Sequence, residues 1–148
     1  LFGYLFASSA GALIISNLTN RRLVSRVGPR RMLQRALAAA LIPATLLLVG
    51  TLLQLGLVPT VASFFLLVGC LGVAWVNADA LVLIEFPHHA GSASAVIGTM
   101  RFGVGALAGP VLAWIDTGTP VPVMVLIFGL LGTAAAVQLL RHWCVKEQ

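Results

Sequence analysis

The sequence predicts an all-α integral membrane protein, because it is too apolar for a soluble domain and because its charges are segregated. Hydrophobic residues make up 59% of the 148 residues and charged residues 9%, whereas roughly a quarter of the residues in soluble domains are charged. Six of the eight arginines lie in the segment 21–35. From residue 36 to residue 140 the only charged side chains are Asp79, Glu85, Arg101 and Asp116. Uncharged stretches of this length are expected to lie in lipid.

The apolar runs predict helices and their number. Backbone polar groups must bond internally in hydrocarbon, which leaves helices or a closed barrel. The uninterrupted runs 46–49 and 123–131 lack the alternation of barrel strands. At about 20 residues per span, we predict about five transmembrane helices, near 1–17, 33–55, 60–83, 93–115 and 121–140.

The connections between the spans predict their orientation. Cytoplasmic loops are enriched in Arg and Lys, so the arginine-rich loop 18–32 is predicted to be cytoplasmic. Each later connection then alternates: 56–59 outside, 85–92 inside, 116–120 outside and the tail 141–148 inside. The two outer connections contain no Lys or Arg, whereas the tail contains Arg141 and Lys146. Because the first span starts at Leu1 without basic residues before it, we expect a fragment rather than a secretory signal.

The spans differ in polarity. The second and fifth are apolar on every face, which predicts broad contact with lipid. The first, third and fourth carry polar residues and are expected to form the interior. These residues are Ser8, Ser9, Ser16, Asn17, Ser63, Asn77, Asp79, Ser94, Thr99 and Arg101.

Small residues recur every three or four positions along the fourth span. Such a stripe lets a second helix approach closely. For the glycines alone we favour helix packing over a functional role. The predicted packing residues are Gly91, Ser94, Gly98, Gly105, Gly109 and Pro110.

Asp79 and Arg101 are charges inside predicted spans. A central Arg costs about 2.5–3.5 kcal/mol on insertion scales and should face protein or a water-filled cavity. At about 1.5 Å per residue, Asp79 lies about 9 Å and Arg101 about 13.5 Å from the inner surface, a difference that an arginine side chain spans. We hypothesise that the two approach each other between the third and fourth spans and, with Asn77, line a substrate or ion pathway. The alternative is a structural ion pair that fixes helix register.

Other site chemistries are not predicted. The string Glu85-x-x-His88-His89 is interrupted by Pro87, and metal catalysis needs three or more convergent ligands. The chain has no phosphate-binding loop and no nucleophile elbow. The arginines lie in a short connection rather than along a soluble face, which argues against nucleic acid despite the net charge of +5. We therefore expect no enzyme activity, metal or cofactor.

Two motifs resemble those of the major facilitator superfamily (MFS), and the likeness covers nearly the whole chain. The segment 20–31, ending R-x-G-x-R-R, resembles the arginine-rich loop between helices eight and nine. The segments 77–81 and 85–95, the latter reading EFPHHAGSASA, resemble the link between helices ten and eleven of the Bcr/CflA drug:proton antiporters. This subfamily includes the bicyclomycin and chloramphenicol resistance transporters.

The resemblance implies that the five spans are helices eight to twelve of a twelve-helix transporter, with helices nine and twelve peripheral. It also implies a cytoplasmic gate in the arginine-rich loop, although Ser25 stands where an acidic residue is expected. The alternative for these arginines is simple orientation by the positive-inside rule. The segment 105–110 is similar to the core of the antiporter motif, from which Ala113 and Trp114 depart. The gate candidates are Arg21, Arg22, Arg26, Gly28, Arg30 and Arg31.

By this resemblance we expect part of a secondary active transporter of a bacterial inner membrane. It would export small drug-like organic molecules in exchange for protons, by rocking against a missing N-terminal half that holds the coupling carboxylates. We expect uncharged residues at positions 79 and 101 in near relatives. The alternative is a noncatalytic membrane scaffold that docks partner helices through the glycine stripe. A third alternative is an intramembrane enzyme that uses Asp79 or the histidine pair.

Overall fold

Five long helices make up the described part of the chain. The computed structural model describes residues 2–115, 119 and 121–146, with the side chains of 9–115, 119 and 121–138. The predicted outer connection 116–120 and the end of the tail therefore lie largely outside the described residues. The helices are α1 (Phe2–Val27), α2 (Pro29–Leu52), α3 (Leu57–Glu85), α4 (Ala90–Trp114) and α5 (Val121–Lys146), with a 3₁₀ turn at Pro87–His89 before α4.

Four helical segments of the described chain are long and apolar enough to cross a membrane. They are Pro29–Leu52, Leu57–Glu85, Pro87–Trp114 and Val121–Gln138. The described residues contain no strand, and the predicted all-α membrane class is confirmed. Of the predicted first span, 1–17, the described residues from Phe2 onward lie in α1. This helix is not among the four, and its membrane crossing stays a prediction.

The arginine-rich segment is a helical hairpin rather than an extended loop. Helix α1 continues to Val27 and α2 begins at Pro29, so only Gly28 interrupts the helices between 18 and 32. Gly28 has φ +84, a backbone conformation that glycine adopts without the steric cost of a Cβ. Proline at the first helical position starts α2 with its fixed φ. The arginines therefore project from helical turns on both sides of one glycine.

The turn after α2 is closed by backbone bonds. Leu55 N–H donates to Gly50 O at 3.0 Å, and Gln54 N–H donates to Thr51 O at 3.4 Å, the pair of bonds that defines a Schellman motif. Gln54 takes the left-handed position at φ +51. These bonds satisfy two free carbonyls of α2. The positive φ values of Gln54 and Gly56 turn the chain, and α3 begins at Leu57.

The core lies between α2, α3 and α5. The face of α2 that packs inward carries residues spaced three or four apart, many of them alanine, and α3 and α5 supply the opposing side chains. The opposite face of α2, with Ile42, Leu46 and Val49, is exposed. The buried apolar cluster is Leu33, Ala36, Leu37, Ala40, Ala44, Leu47, Leu67, Ala74 and Leu131.

This arrangement corrects the expectation that the second span faces lipid broadly. Helix α2 packs extensively against α3 and against α5. Its inward face is chosen by size rather than by polarity, since small side chains such as Ala40 and Ala44 let helix backbones approach closely and gain dispersion contacts. The prediction overlooked this because every face of α2 is apolar.

Helix α4 lies at the edge of the described bundle. None of its described residues is buried, and it touches α3 over a small area. The expectation that the fourth span belongs to the interior is therefore not met among the described residues, whereas α1 and α3 do pack together. Helix α4 leaves most of its surface available to groups outside this structure.

Candidate functional site

Asp79 of α3 and Arg101 of α4 form an ion pair. Arg101 Nη2 donates a hydrogen bond to Asp79 Oδ1 at 2.8 Å. The side chains are each 36% exposed, so the pair lies at the surface of the described bundle. The predicted approach of these two side chains is confirmed, while their part in a pathway stays a prediction.

The indole of Trp75 holds the same guanidinium from a second direction. The Arg101 Cζ lies 4.9 Å from the centroid of the Trp75 ring, within the distance for a cation–π interaction. Trp75 and Asp79 are four residues apart and share one face of α3. The sequence prediction did not include Trp75, although this spacing was visible. We call Trp75, Asp79 and Arg101 the cation cluster.

The cation cluster links α3 to α4 where these helices otherwise pack little. The ion pair stabilises the fold moderately. An exposed ion pair contributes about 0–1 kcal/mol to stability. Removing one partner of a buried ion pair costs about 3–5 kcal/mol, and this partly exposed pair lies between these cases. The cation–π contact adds about 0.5–2 kcal/mol. The ion pair and the cation–π contact together fix the position of the Arg101 guanidinium, which stays accessible to solutes.

Asn77 belongs to a different face of α3. It is 1% exposed, and its Nδ2 donates to Asn20 Oδ1 of α1 at 2.8 Å and to Val73 O at 2.7 Å. Residues two apart on a helix point in different directions, so Asn77 faces α1 while Asp79 faces α4. The structure therefore does not bring Asn77 together with the cation cluster, contrary to the single polar route that was predicted.

Asn20 was not among the predicted site residues. It is 4% exposed and lies three residues after Asn17, whose Oδ1 is buried without a hydrogen-bond partner in the described part of the chain. The spacing of these two asparagines on one face of α1 was a signal for such a contact. The result is a buried amide contact between α1 and α3, next to the arginine-rich hairpin.

A double-mutant cycle is expected to measure this amide contact. Asn77→Leu and Asn20→Leu each remove one partner, and we expect a coupling energy of about 0.5–1.5 kcal/mol, the range for hydrogen bonds between membrane helices. The measurement is the free energy of unfolding in detergent of the two single variants and the double variant. Additive losses would contradict the contact.

The close helix approach occurs at glycines that the sequence prediction did not choose. A Cβ added to Gly72 of α3 would meet Leu13 Cδ2 at 2.6 Å, and one added to Gly69 would meet Ser16 Cβ at 3.7 Å. The predicted packing glycines, Gly91, Gly98, Gly105 and Gly109, have no atom within 4 Å of such a Cβ. Ser94 and Pro110 are exposed.

No neighbouring helix of the described chain approaches these α4 glycines closely, and their packing role stays a prediction. The pair on α3 was missed because Gly69 and Gly72 stand among large apolar residues, where the three-residue spacing is less conspicuous.

The gate candidates surround the Gly28 turn. Arg21, Arg22 and Arg26 are exposed on α1, and Arg30 and Arg31 are exposed on α2. Within the described residues no acidic side chain pairs with them. At the position where the motif expects an acid, the Ser25 Oγ donates to Arg22 O at 3.2 Å. Any carboxylate that binds these arginines would come from elsewhere.

The Glu85-x-x-His88-His89 segment, which was considered as a metal site, is exposed. Glu85, His88 and His89 are exposed around the 3₁₀ turn. Among the described residues no three His, Cys, Asp or Glu side chains are close enough to hold a metal ion.

Comparison with known proteins identifies relatives of this helical segment. The chain is 35% identical over 123 residues to a bicyclomycin resistance protein homolog of Haemophilus influenzae, a match that covers 83% of this chain and 31% of the relative. The chain is a Bcr-like segment of the major facilitator superfamily. It is also 27% identical over 128 residues to the uncharacterized MFS-type transporter YdgK of Bacillus subtilis, covering 86% of this chain and 32% of that protein. No protein-family model and no solved structure matches the chain.

This Bcr-like MFS segment spans about a third of the length of the curated relatives it matches. The resemblance to the superfamily inferred from the sequence motifs is confirmed. With its apolar helices, the MFS segment is part of a multi-pass membrane protein. Neither relative's name describes an enzyme.

Proposed function

We propose that the chain is the C-terminal part of an MFS transporter in a bacterial inner membrane, which exports small drug-like organic molecules in exchange for protons. The five helices would be helices eight to twelve, and transport would proceed by alternating access against the missing N-terminal half. The Gly28 hairpin would form part of the cytoplasmic gate, with Asp79 and Arg101 bordering the substrate pathway.

The observation that carries this proposal is the similarity over 123 residues to a bicyclomycin resistance protein homolog. Both relatives are bacterial proteins about three times as long as this chain, which supports a missing remainder that completes the cavity.

Two features of the described residues support the same proposal. The gate arginines are exposed without acidic partners in the described chain, and arginine forks bind carboxylates and helix ends well. The cation cluster is only partly covered, and ionisable groups inside a membrane usually border a pathway or a cavity.

Export by the intact polypeptide encoded by the gene tests the proposal. We expect inside-out vesicles containing it to take up radiolabelled bicyclomycin when a proton gradient is imposed, and to lose uptake with a protonophore. Vesicles without the protein are the baseline. Uptake that survives collapse of the gradient would exclude proton antiport, and no uptake of bicyclomycin, chloramphenicol or organic cations would contradict drug export.

A matched pair of variants tests the gate. Arg31→Gln and Arg35→Gln each remove one exposed arginine from α2, but only Arg31 belongs to the gate motif. Slower export in Arg31→Gln alone supports gating. Equal effects would leave orientation by positive charge as the role of these residues.

The second candidate is a noncatalytic membrane scaffold, which the uncovered surface of α4 favours. Its glycine stripe would dock helices of a partner protein. The same vesicles discriminate the two candidates, because a scaffold produces no gradient-dependent uptake and instead copurifies with a stoichiometric membrane partner.

A further inference from the structure

Arg101 is held by two groups that both attract positive charge. The carboxylate of Asp79 lies 2.8 Å from its Nη2, and the Trp75 ring lies 4.9 Å from its Cζ. Trp75 and Asp79 are on the same helix, whereas Arg101 comes from α4. If Arg101 swings away, α3 keeps an anionic group and an electron-rich ring side by side.

The chemistry of this pair selects a cation over an anion. The face of an indole ring carries negative charge density and binds ammonium groups, and Asp79 adds a full negative charge. An anion that approached Arg101 would be repelled by both the Asp79 carboxylate and the face of the Trp75 ring. The apolar side chains of Val76 and Phe102, next to the pair in sequence, are exposed, which suits a ligand with an apolar body.

We propose that Trp75 and Asp79 form a binding site for lipophilic organic cations, which Arg101 occupies as a tethered competitor. The proposal rests on the proposed transport function and names a substrate class for its pathway. An incoming cation exchanges with the guanidinium, so no charge is left unpaired on α3.

Exchange also changes the contact between two helices. The cation cluster is a main link between α3 and α4, which otherwise pack over a small area. Release of Arg101 by the ligand therefore loosens α4, and rebinding of Arg101 after the ligand departs restores the link. In the free protein Arg101 occupies the site. The apparent affinity for a cation is therefore the intrinsic affinity multiplied by the small fraction of molecules in which Arg101 has left the site.

The test is equilibrium binding of tritiated tetraphenylphosphonium to the intact protein in lipid nanodiscs. If Arg101 occupies the site in about nine-tenths of the molecules, Arg101→Gln raises the affinity about tenfold. Arg101→Lys, which keeps a tethered cation, stays near the wild-type value. Arg35→Gln removes an arginine outside the cluster and is the control for net charge; we expect it to leave the affinity unchanged.

Two further variants locate the site. The double variant Asp79→Asn/Arg101→Gln removes both charges, so it leaves no unpaired charge that would destabilise the fold. We expect it to bind tetraphenylphosphonium at least about tenfold more weakly than Arg101→Gln does. Trp75→Leu added to Arg101→Gln weakens binding severalfold. Tetraphenylborate, of the same size and opposite charge, gains nothing from Arg101→Gln.

The proposal is overturned if Arg101→Gln binds tetraphenylphosphonium no more tightly than the wild type, or if removing Asp79 leaves the affinity of Arg101→Gln unchanged. Tighter binding of tetraphenylborate in Asp79→Asn would assign an anion site to Arg101 instead. Bicyclomycin uptake is measured in parallel, so loss of the cation site with intact uptake leaves the transport proposal standing. Cation binding without any uptake keeps the site and removes the transport function.

Discussion

Asp79→Asn is expected to destabilise the folded protein by about 2 kcal/mol, because it leaves the Arg101 guanidinium without its carboxylate partner. The estimate lies between the value for an exposed pair, about 0–1 kcal/mol, and the loss on breaking a buried one, about 3–5 kcal/mol, since each side chain is 36% exposed. The free energy of unfolding of the wild type and of Asp79→Asn, measured in SDS, tests this loss, and equal values would contradict a stabilising ion pair.

The charge swap Asp79→Arg with Arg101→Asp separates a structural role from a transport role. We expect the swap to recover most of the stability lost in Asp79→Asn, because opposite charges again face each other across α3 and α4. If it also recovers full export, the pair only fixes helix register. Recovered folding with lost export supports a role in the pathway, since the cation site next to Trp75 then carries the wrong charge.

Gly72→Ile is expected to destabilise the protein by about 1–3 kcal/mol, the usual range for an overpacked contact. A single Cβ at Gly72 already lies 2.6 Å from Leu13 Cδ2 and 3.5 Å from Ser16 Oγ. Gly72→Ala requires only a shift of the flexible end of Leu13 and should be mild. The branched isoleucine pushes α1 away from α3 and strains the Asn20–Asn77 hydrogen bond five residues further along α3.

The matched control is Gly129→Ile on α5, where no atom lies within 4 Å of an added Cβ. Both substitutions gain a few tenths of a kcal/mol in helix propensity, so their difference isolates the packing. Cys70 is half-buried against the core, so the rate of its thiol labelling reports unfolding. Thermal unfolding in detergent, monitored by this labelling in a Cys144→Ser background, measures the difference. Equal stability of the two variants would contradict a close approach of α1 to α3 at Gly72.

The predicted ion pair and the predicted packing stripe show how far sequence reasoning reaches. Asp79 and Arg101 were paired correctly because charges are rare in the apolar spans and their depths match once the spans are antiparallel. The α4 glycines were chosen for packing because their spacing is conspicuous, yet the close approach occurs at Gly69 and Gly72 of α3. Spacing predicts that a helix face carries small side chains and allows close approach. Whether another helix packs against that face depends on the position of the neighbouring helix.

Asn77 and Trp75 show the same limit within one helix. Asn77 was predicted as a pathway residue together with Asp79 and Arg101, but two residues of separation on a helix turn Asn77 toward α1 and Asp79 toward α4. Trp75 was not predicted, because aromatic residues are common in apolar spans and its contact with Arg101 depends on the packing of another helix.

Composition, uninterrupted apolar runs and local motifs are sufficient to predict the membrane class, the helical character of the spans and the relationship to the MFS. The central position of α2, the approach of α1 to α3 at Gly72 and the position of Arg101 between an indole ring and a carboxylate depend on how the helices pack. In lipid, apolar side chains gain no hydrophobic energy by turning inward. The buried face of each helix is therefore set by the shapes and hydrogen bonds of its neighbours, which residues distant in sequence supply.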